Sequence, residues 1–288
     1  MGEEHPPLNL PMPELPEVET VVRALRAAAT GARIEGIVHA SRRVALGNRP
    51  GWRRQIVART IAAVSRRGKY IIIRMTGGCH LVIHLRMTGH LRLRSNRIGR
   101  GPHDRLILTL RGPGSRRSRQ LVLVDTRQFA RADYCPPGGL LQHQGLSRLG
   151  PEATDIGDEE LHGIAARSRR SIKALLLDQH VMAGLGNIYA DEALFAAGIH
   201  PAALCHRLGR TRLIRLRTEM ERILAAAIAA CGTTFDTFSD LTGQAGGFAP
   251  KLMVYGRTGE PCRVCGHSIK RMVIVGRGTH YCPGCQRR

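Results

Sequence analysis

Four cysteines near the C-terminus constrain this chain more than any other feature. Cys262-Arg-Val-Cys265 and Cys282-Pro-Gly-Cys285 are separated by sixteen residues. Each C-x2-C pair can grip one side of a tetrahedral Zn²⁺, and the separation suits a two-hairpin ribbon. Some forty residues cannot bury enough apolar surface to fold alone, so the metal supplies the folding energy of this segment. Four thiolates leave no open coordination position, which makes the ion structural rather than catalytic. The spacing therefore predicts one structural zinc ion in a finger over residues 251–288. Cys79, Cys135, Cys205 and Cys231 are scattered and read as small core residues. A disulfide framework does not suit a chain of 288 residues whose N-terminus lacks a basic stretch followed by an apolar run.

Upstream of the finger the patterning changes twice. Residues 1–11 are proline-rich, lack periodicity and read as a disordered lead, with Met12 directly after it. Pro16 to Ala29 has a helical pattern: Val18, Val21, Val22 and Leu25 form a stripe, and Glu17 and Glu19 suit the positive end of the helix dipole. Strand signals then run to about residue 126, in Ile34–Ala40, Ile61–Arg74, Leu81–Leu93, Arg105–Arg111 and Gln120–Val124. Several short strands in series predict a β-sandwich or barrel. Cys135-Pro-Pro-Gly-Gly139 marks a boundary, beyond which Asp158–Asp178 and Arg210–Ala230 read as helical. The fold class is α+β: a helix plus β-sandwich over 13–135, a linker over 136–150, a helical domain over 151–250 and the finger. Residues 233–250, with Gly243, Gly246 and Gly247, read as a mobile loop.

Charge narrows the partner. The formal balance is +22, with 44 Lys and Arg against 22 Asp and Glu. A polyanion is the natural partner, and nucleic acid outranks a membrane because no amphipathic basic anchor stands out. No run approaches the roughly 18 apolar residues that span a bilayer, so a cytoplasmic protein is expected. Only Lys69, Lys173, Lys251 and Lys270 are lysine. Such an arginine excess also arises from a GC-rich genome, so charge alone locates no contact.

Three further segments carry chemistry. Gly184-Leu-Gly186-Asn187 precedes a new helix whose first N–H groups suit a phosphate, although such turns also serve as plain connections. Arg66-Arg67-Gly68-Lys69-Tyr70 is a basic turn which, taken alone, reads as exposed charge. Met12-Pro13-Glu14-Leu15-Pro16-Glu17 places a proline behind a methionine. Removal of that methionine would leave a secondary amine with a pKa near ~8, nucleophilic at neutral pH. Its attack on a sugar C1′ would expel a base and leave an iminium that acidifies C2′ and permits loss of the 3′ phosphate. The alternative is a proline-rich lead into a helix.

Taken together, Pro13-Glu-Leu-Pro-Glu-Val-Glu-Thr20, Gly186-Asn-Ile-Tyr-Ala-Asp-Glu-Ala-Leu-Phe195, Val254-Tyr-Gly-Arg257 and the cysteine motif closely resemble the formamidopyrimidine-DNA glycosylase (Fpg, MutM) family of the Fpg/Nei superfamily. The resemblance runs from Pro13 to the C-terminus. It implies a two-domain clamp on double-stranded DNA containing oxidised bases or abasic sites, with a helix–two-turns–helix domain and a zinc finger, acting as a monomer. It implies excision of 8-oxoguanine and formamidopyrimidines, then strand cleavage by β,δ-elimination. By the same resemblance, Pro13 is the Schiff-base nucleophile, Glu14 the general acid/base and Glu17 a supporting carboxylate. Lys69, Asn187 and Arg277 match phosphate-contacting residues, with Lys69 and Arg277 counted among the catalytic set. Met87, Arg127 and Phe129 match residues that fill the space left by an everted nucleotide. Residues near 239–250 match a lesion-capping loop.

Departures also stand out. Gln128 and Ala130 replace the usual Arg and Gly around Phe129, and Arg105 stands where a second His is frequent. Met87 shares an apolar face with Leu81, Ile83 and Leu85, so a core role competes with the wedge role. As an internal amide, Pro13 has no basic nitrogen. The expectation is therefore a translation start at Met12, or removal of residues 1–12, to free it. The alternatives are a silent lesion binder with a blocked Pro13, or a Nei-type enzyme for oxidised pyrimidines.

Overall fold

Helix α1 (Leu15–Ala29) starts one residue ahead of the predicted span, because the Glu14 N–H donates to Glu17 Oε2 at 2.9 Å and seals the first turn. In this computed structural model, which describes residues 12–45, 50–234, 241, 243 and 246–288, α1 lays Val18, Val21, Val22 and Leu25 against a β-sandwich. Eight strands follow: β1 (Arg33–Ala40), β2 (Ile61–Arg67), β3 (Tyr70–Met75), β4 (His80–His84), β5 (His90–Ser95), β6 (Asp104–Arg111), β7 (Ser118–Val124) and β8 (Arg131–Cys135). They form two antiparallel sheets in the orders β1-β6-β7-β5 and β2-β3-β4-β8. Alternate residues Leu106, Leu108, Leu110, Leu121, Leu123, Ile71, Ile73, Leu81 and Ile83 face inward and make the first core.

The second core belongs to the helices. It gathers residues of α3 (Asp158–Ala166), α4 (Ile172–Leu176), α5 (Asn187–Ala196) and α6 (Arg210–Ala229), with Tyr189 fully buried. The finger contributes a hairpin, β9 (Lys270–Ile274) paired with β10 (Arg277–Tyr281), and a small cluster of Val254, Cys262, Ile269 and Cys282 against Phe195 of α5. Helix α1 also packs on α6, so one element braces both cores.

Several local readings change. The run 61–74 is a hairpin, turning at Gly68 with φ +53°, and the run 81–93 breaks after His84, where Arg86 adopts φ +58°. Met87 therefore leaves the apolar face and is half-buried outside the core. The helical run 158–178 is two helices, because Ser171 Oγ accepts from the Ala174 N–H and starts α4 afresh. A short helix, α2 (Trp52–Ile56), has no counterpart in the sequence pattern. Cys79, Cys135 and Cys205 are buried, but Cys231 is exposed at φ +59° just past α6. The linker is anchored: His143 reaches Asp133 at 3.3 Å and meets Tyr70 edge-on, while the Gly150 N–H donates to Gln179 O at 2.9 Å. The lead (1–11) and residues 239, 240, 242, 244 and 245 of the capping loop lie outside the described residues. No helix among the described residues is long and apolar enough to cross a membrane.

Candidate functional site

The N-termini of α1 and α5 meet head to head at the seam between the two cores. Pro13 and Glu14 are buried there. The Leu15 N–H donates to Gly184 O at 3.1 Å, which brings Glu14 onto the start of α5. Glu14 Oε1 accepts from the Ile188 N–H at 2.9 Å, and Oε2 accepts from the Tyr189 N–H at 3.5 Å. The α5 amides that the sequence suggested for phosphate are thus occupied by a carboxylate of the protein itself. Close approach requires glycine at position 186, where a Cβ would stand 2.3 Å from Glu14 Cδ. Burial raises the Glu14 pKa, while the Lys69 charge and the α5 amides pull it down.

Glu17 lies one turn further along α1. Its Oε1 accepts from the Tyr189 hydroxyl at 2.5 Å and from the Thr233 N–H at 2.7 Å. Burial, followed by the neighbouring Glu14 charge, lifts its pKa to about 7. Lys69 sits in the β2–β3 turn and is 5% exposed. Burial lowers its pKa; Glu14 and Glu17 oppose that shift and Arg277 adds to it. Lys69, both carboxylates and Arg277 therefore lie within electrostatic reach of one another.

The basic turn is not free surface charge. Arg66 and Arg67 both pair with Glu152 of the helical half, Arg67 Nη1 at 2.8 Å, and the Gly68 N–H donates to the same carboxylate at 2.6 Å. Arg66 Nε also reaches Glu19 on α1 at 3.0 Å. These contacts consume the charges on either side and fix the turn that carries Lys69.

The finger docks on α5 through polar links. Buried Asp191 accepts from Lys173 Nζ at 2.6 Å and from the His280 N–H at 2.8 Å. Glu192 accepts from the Met253, Val254 and Tyr255 N–H groups at 2.8, 2.9 and 2.8 Å. Asn187 Nδ2 donates to Gly278 O at 2.9 Å, beside Arg277, and Asn187 Oδ1 is buried without a partner among the described residues. The backbone next to Arg277 is thereby held against α5, with the Arg277 side chain exposed. The four cysteine sulfurs lie within 4.8 Å of one another, with Cys262–Cys285 at 3.9 Å and Cys265–Cys282 at 3.3 Å. A tetrahedral thiolate site with ~2.3 Å Zn–S bonds has edges of about 3.8 Å, so the residues fit one zinc ion.

Met87 lies in the β4–β5 turn, and Arg127 and Phe129 in the β7–β8 loop. Arg127 and Phe129 are exposed, and the guanidinium lies 4.8 Å from the Phe129 ring centre. An exposed aromatic and a half-buried methionine on adjacent loops form an apolar projection with a cationic edge.

This geometry agrees with known proteins. Three family models match: the formamidopyrimidine-DNA glycosylase N-terminal domain over 12–132, its H2TH domain over 149–239, and the zinc finger found in FPG and IleRS over 259–288. The chain belongs to the formamidopyrimidine-DNA glycosylase family. Formamidopyrimidine-DNA glycosylases from an Exiguobacterium species and from Alkalilimnicola ehrlichii are 40% and 41% identical, over 96% of this chain and all of theirs. A structure of Lactococcus lactis Fpg with DNA containing an abasic site matches with a TM-score of 0.88 at 35% identity, covering 96% of this chain and all of that one. A second, of the wild-type Lactococcus enzyme with DNA containing an N7-benzyl-Fapy-dG lesion, has a TM-score of 0.87 at 34% identity.

Within this glycosylase fold, sequence reasoning gave no role to Tyr189, Lys173 and Asp191 and missed Thr233 and Glu152. Each acts through a partner far away in the sequence, and an internal tyrosine or aspartate in an apolar helix carries no local mark of that partner. Tyr255 lay in the quoted Val-Tyr-Gly-Arg segment without a role. It is half-buried, edge-on to His280 at 4.9 Å, and burial pushes its pKa up to about 12.

Proposed function

We propose that this chain is a bifunctional glycosylase and abasic-site lyase that everts and removes oxidised purines, 8-oxoguanine and formamidopyrimidines, from duplex DNA. The observation that carries this reading is the buried Glu14 carboxyl, directly behind Pro13, held by the first amides of α5 beside Lys69. The solved relatives bound to abasic and Fapy-dG DNA support the substrate class.

In this reading Pro13, once a free secondary amine, attacks C1′ of the everted nucleotide. The C1′–N bond breaks and its electron pair leaves with the base, which takes up a proton; the proline nitrogen loses its own proton, the C1′–O4′ bond then opens with O4′ protonated, and the product is a ring-opened cationic iminium. The iminium withdraws electrons from C2′, whose proton passes to a base, and the 3′ phosphate departs with the C3′–O electron pair. Elimination of the 5′ phosphate completes β,δ-elimination. Glu14 is the acid/base of these transfers: burial favours its neutral form, and Lys69 and two amides favour its charged form, so one group can donate and then accept. Glu17 supports it as a carboxyl that titrates near neutrality. Lys69, Asn187 and Arg277 hold phosphates around the lesion, while Met87, Arg127 and Phe129 fill the vacated stack, offsetting a few kcal/mol of unstacking. The zinc ion takes no part in the chemistry; it holds the hairpin bearing Arg277.

The test is borohydride trapping on an 8-oxoguanine:C duplex, with intact-mass measurement of the native protein. Protein that begins at Pro13 should trap covalently and cut the strand, whereas a form retaining the lead should do neither. Lesion binding without trapping by a chain beginning at Pro13 refutes the mechanism. A preference for thymine glycol over 8-oxoguanine refutes the substrate.

A further inference from the structure

Asp125 stands directly after β7, fully buried, and its carboxylate forms no ion pair among the described residues. Oδ1 accepts from the Thr88 hydroxyl at 2.5 Å and from the Arg127 N–H at 3.1 Å, and Oδ2 accepts from the Ala130 N–H at 2.8 Å. Its backbone is held as well: its N–H donates to His103 O at 2.9 Å, and its carbonyl accepts from Arg105 Nε at 2.7 Å. One side chain thus bonds the turn carrying Met87 and the loop carrying Arg127 and Phe129.

The two loops share further features. Each has a left-handed residue immediately before its projecting apolar side chain: Arg86 at φ +58° before Met87, and Gln128 at φ +59° before Phe129. Non-glycine residues hold this conformation only where the surroundings impose it. The loops also touch, since a Cβ on Gly89 would lie 3.0 Å from Ala130 Cβ. Charge-assisted bonds to a buried carboxylate are the strongest available means of imposing such a geometry.

We propose that Asp125 is a positioning residue which, through Thr88, joins the Met87 turn and the Arg127–Phe129 loop into one rigid wedge, so that base eversion depends on it more than the later strand cleavage does. This rests on the glycosylase reading above. The wedge enters the helix as a unit: Arg127 and Phe129 reach the duplex at a fixed distance from Met87. Where the loops move independently, each must be ordered at the moment of insertion, and that cost falls on eversion.

The test uses Thr88→Val, which keeps shape and removes one bond, Thr88→Ser, which keeps the hydroxyl, and Asp125→Asn, which turns an amide N–H₂ toward a backbone N–H. Three readouts are compared: excision from an 8-oxoguanine duplex, cleavage of a preformed abasic site, and fluorescence of 2-aminopurine placed beside the lesion. Thr88→Val should slow excision roughly tenfold, as expected for one lost bond to a charged acceptor. Abasic-site cleavage should stay within about threefold of wild type, and the 2-aminopurine rise should slow with excision. Thr88→Ser should restore both, and Asp125→Asn should show the same split more strongly. Thr88→Val excising at the wild-type rate, or a parallel fall in excision and abasic-site cleavage, overturns the proposal. The 2-aminopurine signal reports insertion before any bond breaks. A wild type that cuts nothing yet shows a Thr88-dependent rise therefore refutes the glycosylase reading and leaves the wedge standing.

Discussion

At the scale of the residue, the site is a set of carboxyls placed where water cannot help them. Glu17 is buried against a second carboxyl, and its pKa stands at about 7 instead of near 4.5. A carboxyl whose folded pKa is raised favours the fold while protonated. That contribution is complete below the unfolded value near 4.5 and is lost as the pH climbs through 7. Glu17→Gln is neutral at every pH, so its stability relative to wild type should increase by up to about 3 kcal/mol between pH 5 and pH 8. Urea denaturation of both proteins at the two pH values measures this, and an unchanged difference means that Glu17 titrates as an ordinary carboxyl. On their own Pro13 and Glu14 also read as a proline-rich lead into a helix, and the roles proposed for them come from the resemblance carried by the surrounding segments. The interplay of Glu17 with Tyr189 and Thr233 was not legible, because it joins residues 172 and 216 positions apart in the sequence.

At the scale of the element, the sequence marked starts and stops better than partners. The onset of α1, found one residue ahead of Pro16, and the cysteine knuckles are local facts of backbone and ligand chemistry, and they carry over into the structure. The α5 start reads from sequence as a plain turn or as amides open to phosphate, because nothing near Gly186 indicates that Glu14 arrives to occupy them. Met87 was ambiguous for a related reason: alternation along 81–87 is continuous, and only the positive φ at Arg86 turns the chain out of the sheet. The finger is the element most dependent on one interaction. Its own apolar cluster is confined to Val254, Cys262, Ile269 and Cys282 against Phe195, so the metal must carry its folding. Cys282→Ser should lower bound zinc from one ion per chain to a small fraction and expose 259–288 to protease. It should also abolish strand cleavage, while the two larger cores stay folded. Metal analysis and limited proteolysis with mass detection check this; a finger still protected without zinc contradicts it.

At the scale of the whole molecule, two separately formed cores must present one surface, and a net charge of +22 works against holding them close. Helix α1 spans the seam, and Glu152 ties it from the other side by accepting from Arg66, Arg67 and the Gly68 N–H. Charge arithmetic could not single these two out from the other arginines. Removing Glu152 leaves the adjacent Arg66 and Arg67 on one side of a half-buried seam without the carboxylate they share, although Arg66 keeps Glu19. Breaking a well-buried ion pair costs 3–5 kcal/mol, and partial exposure of Arg67 reduces that, so Glu152→Ala should lose about 2–3 kcal/mol. The loss should fall on the junction, not on either core. Trp52, the sole tryptophan, reports the sandwich core, whereas helical circular dichroism is dominated by α3–α6. In wild type the two signals should unfold together, as a cooperative pair. In Glu152→Ala they should separate, and strand cleavage should fall because the turn bearing Lys69 is no longer fixed. Coincident transitions in the variant would show that α1 alone carries the coupling between the halves.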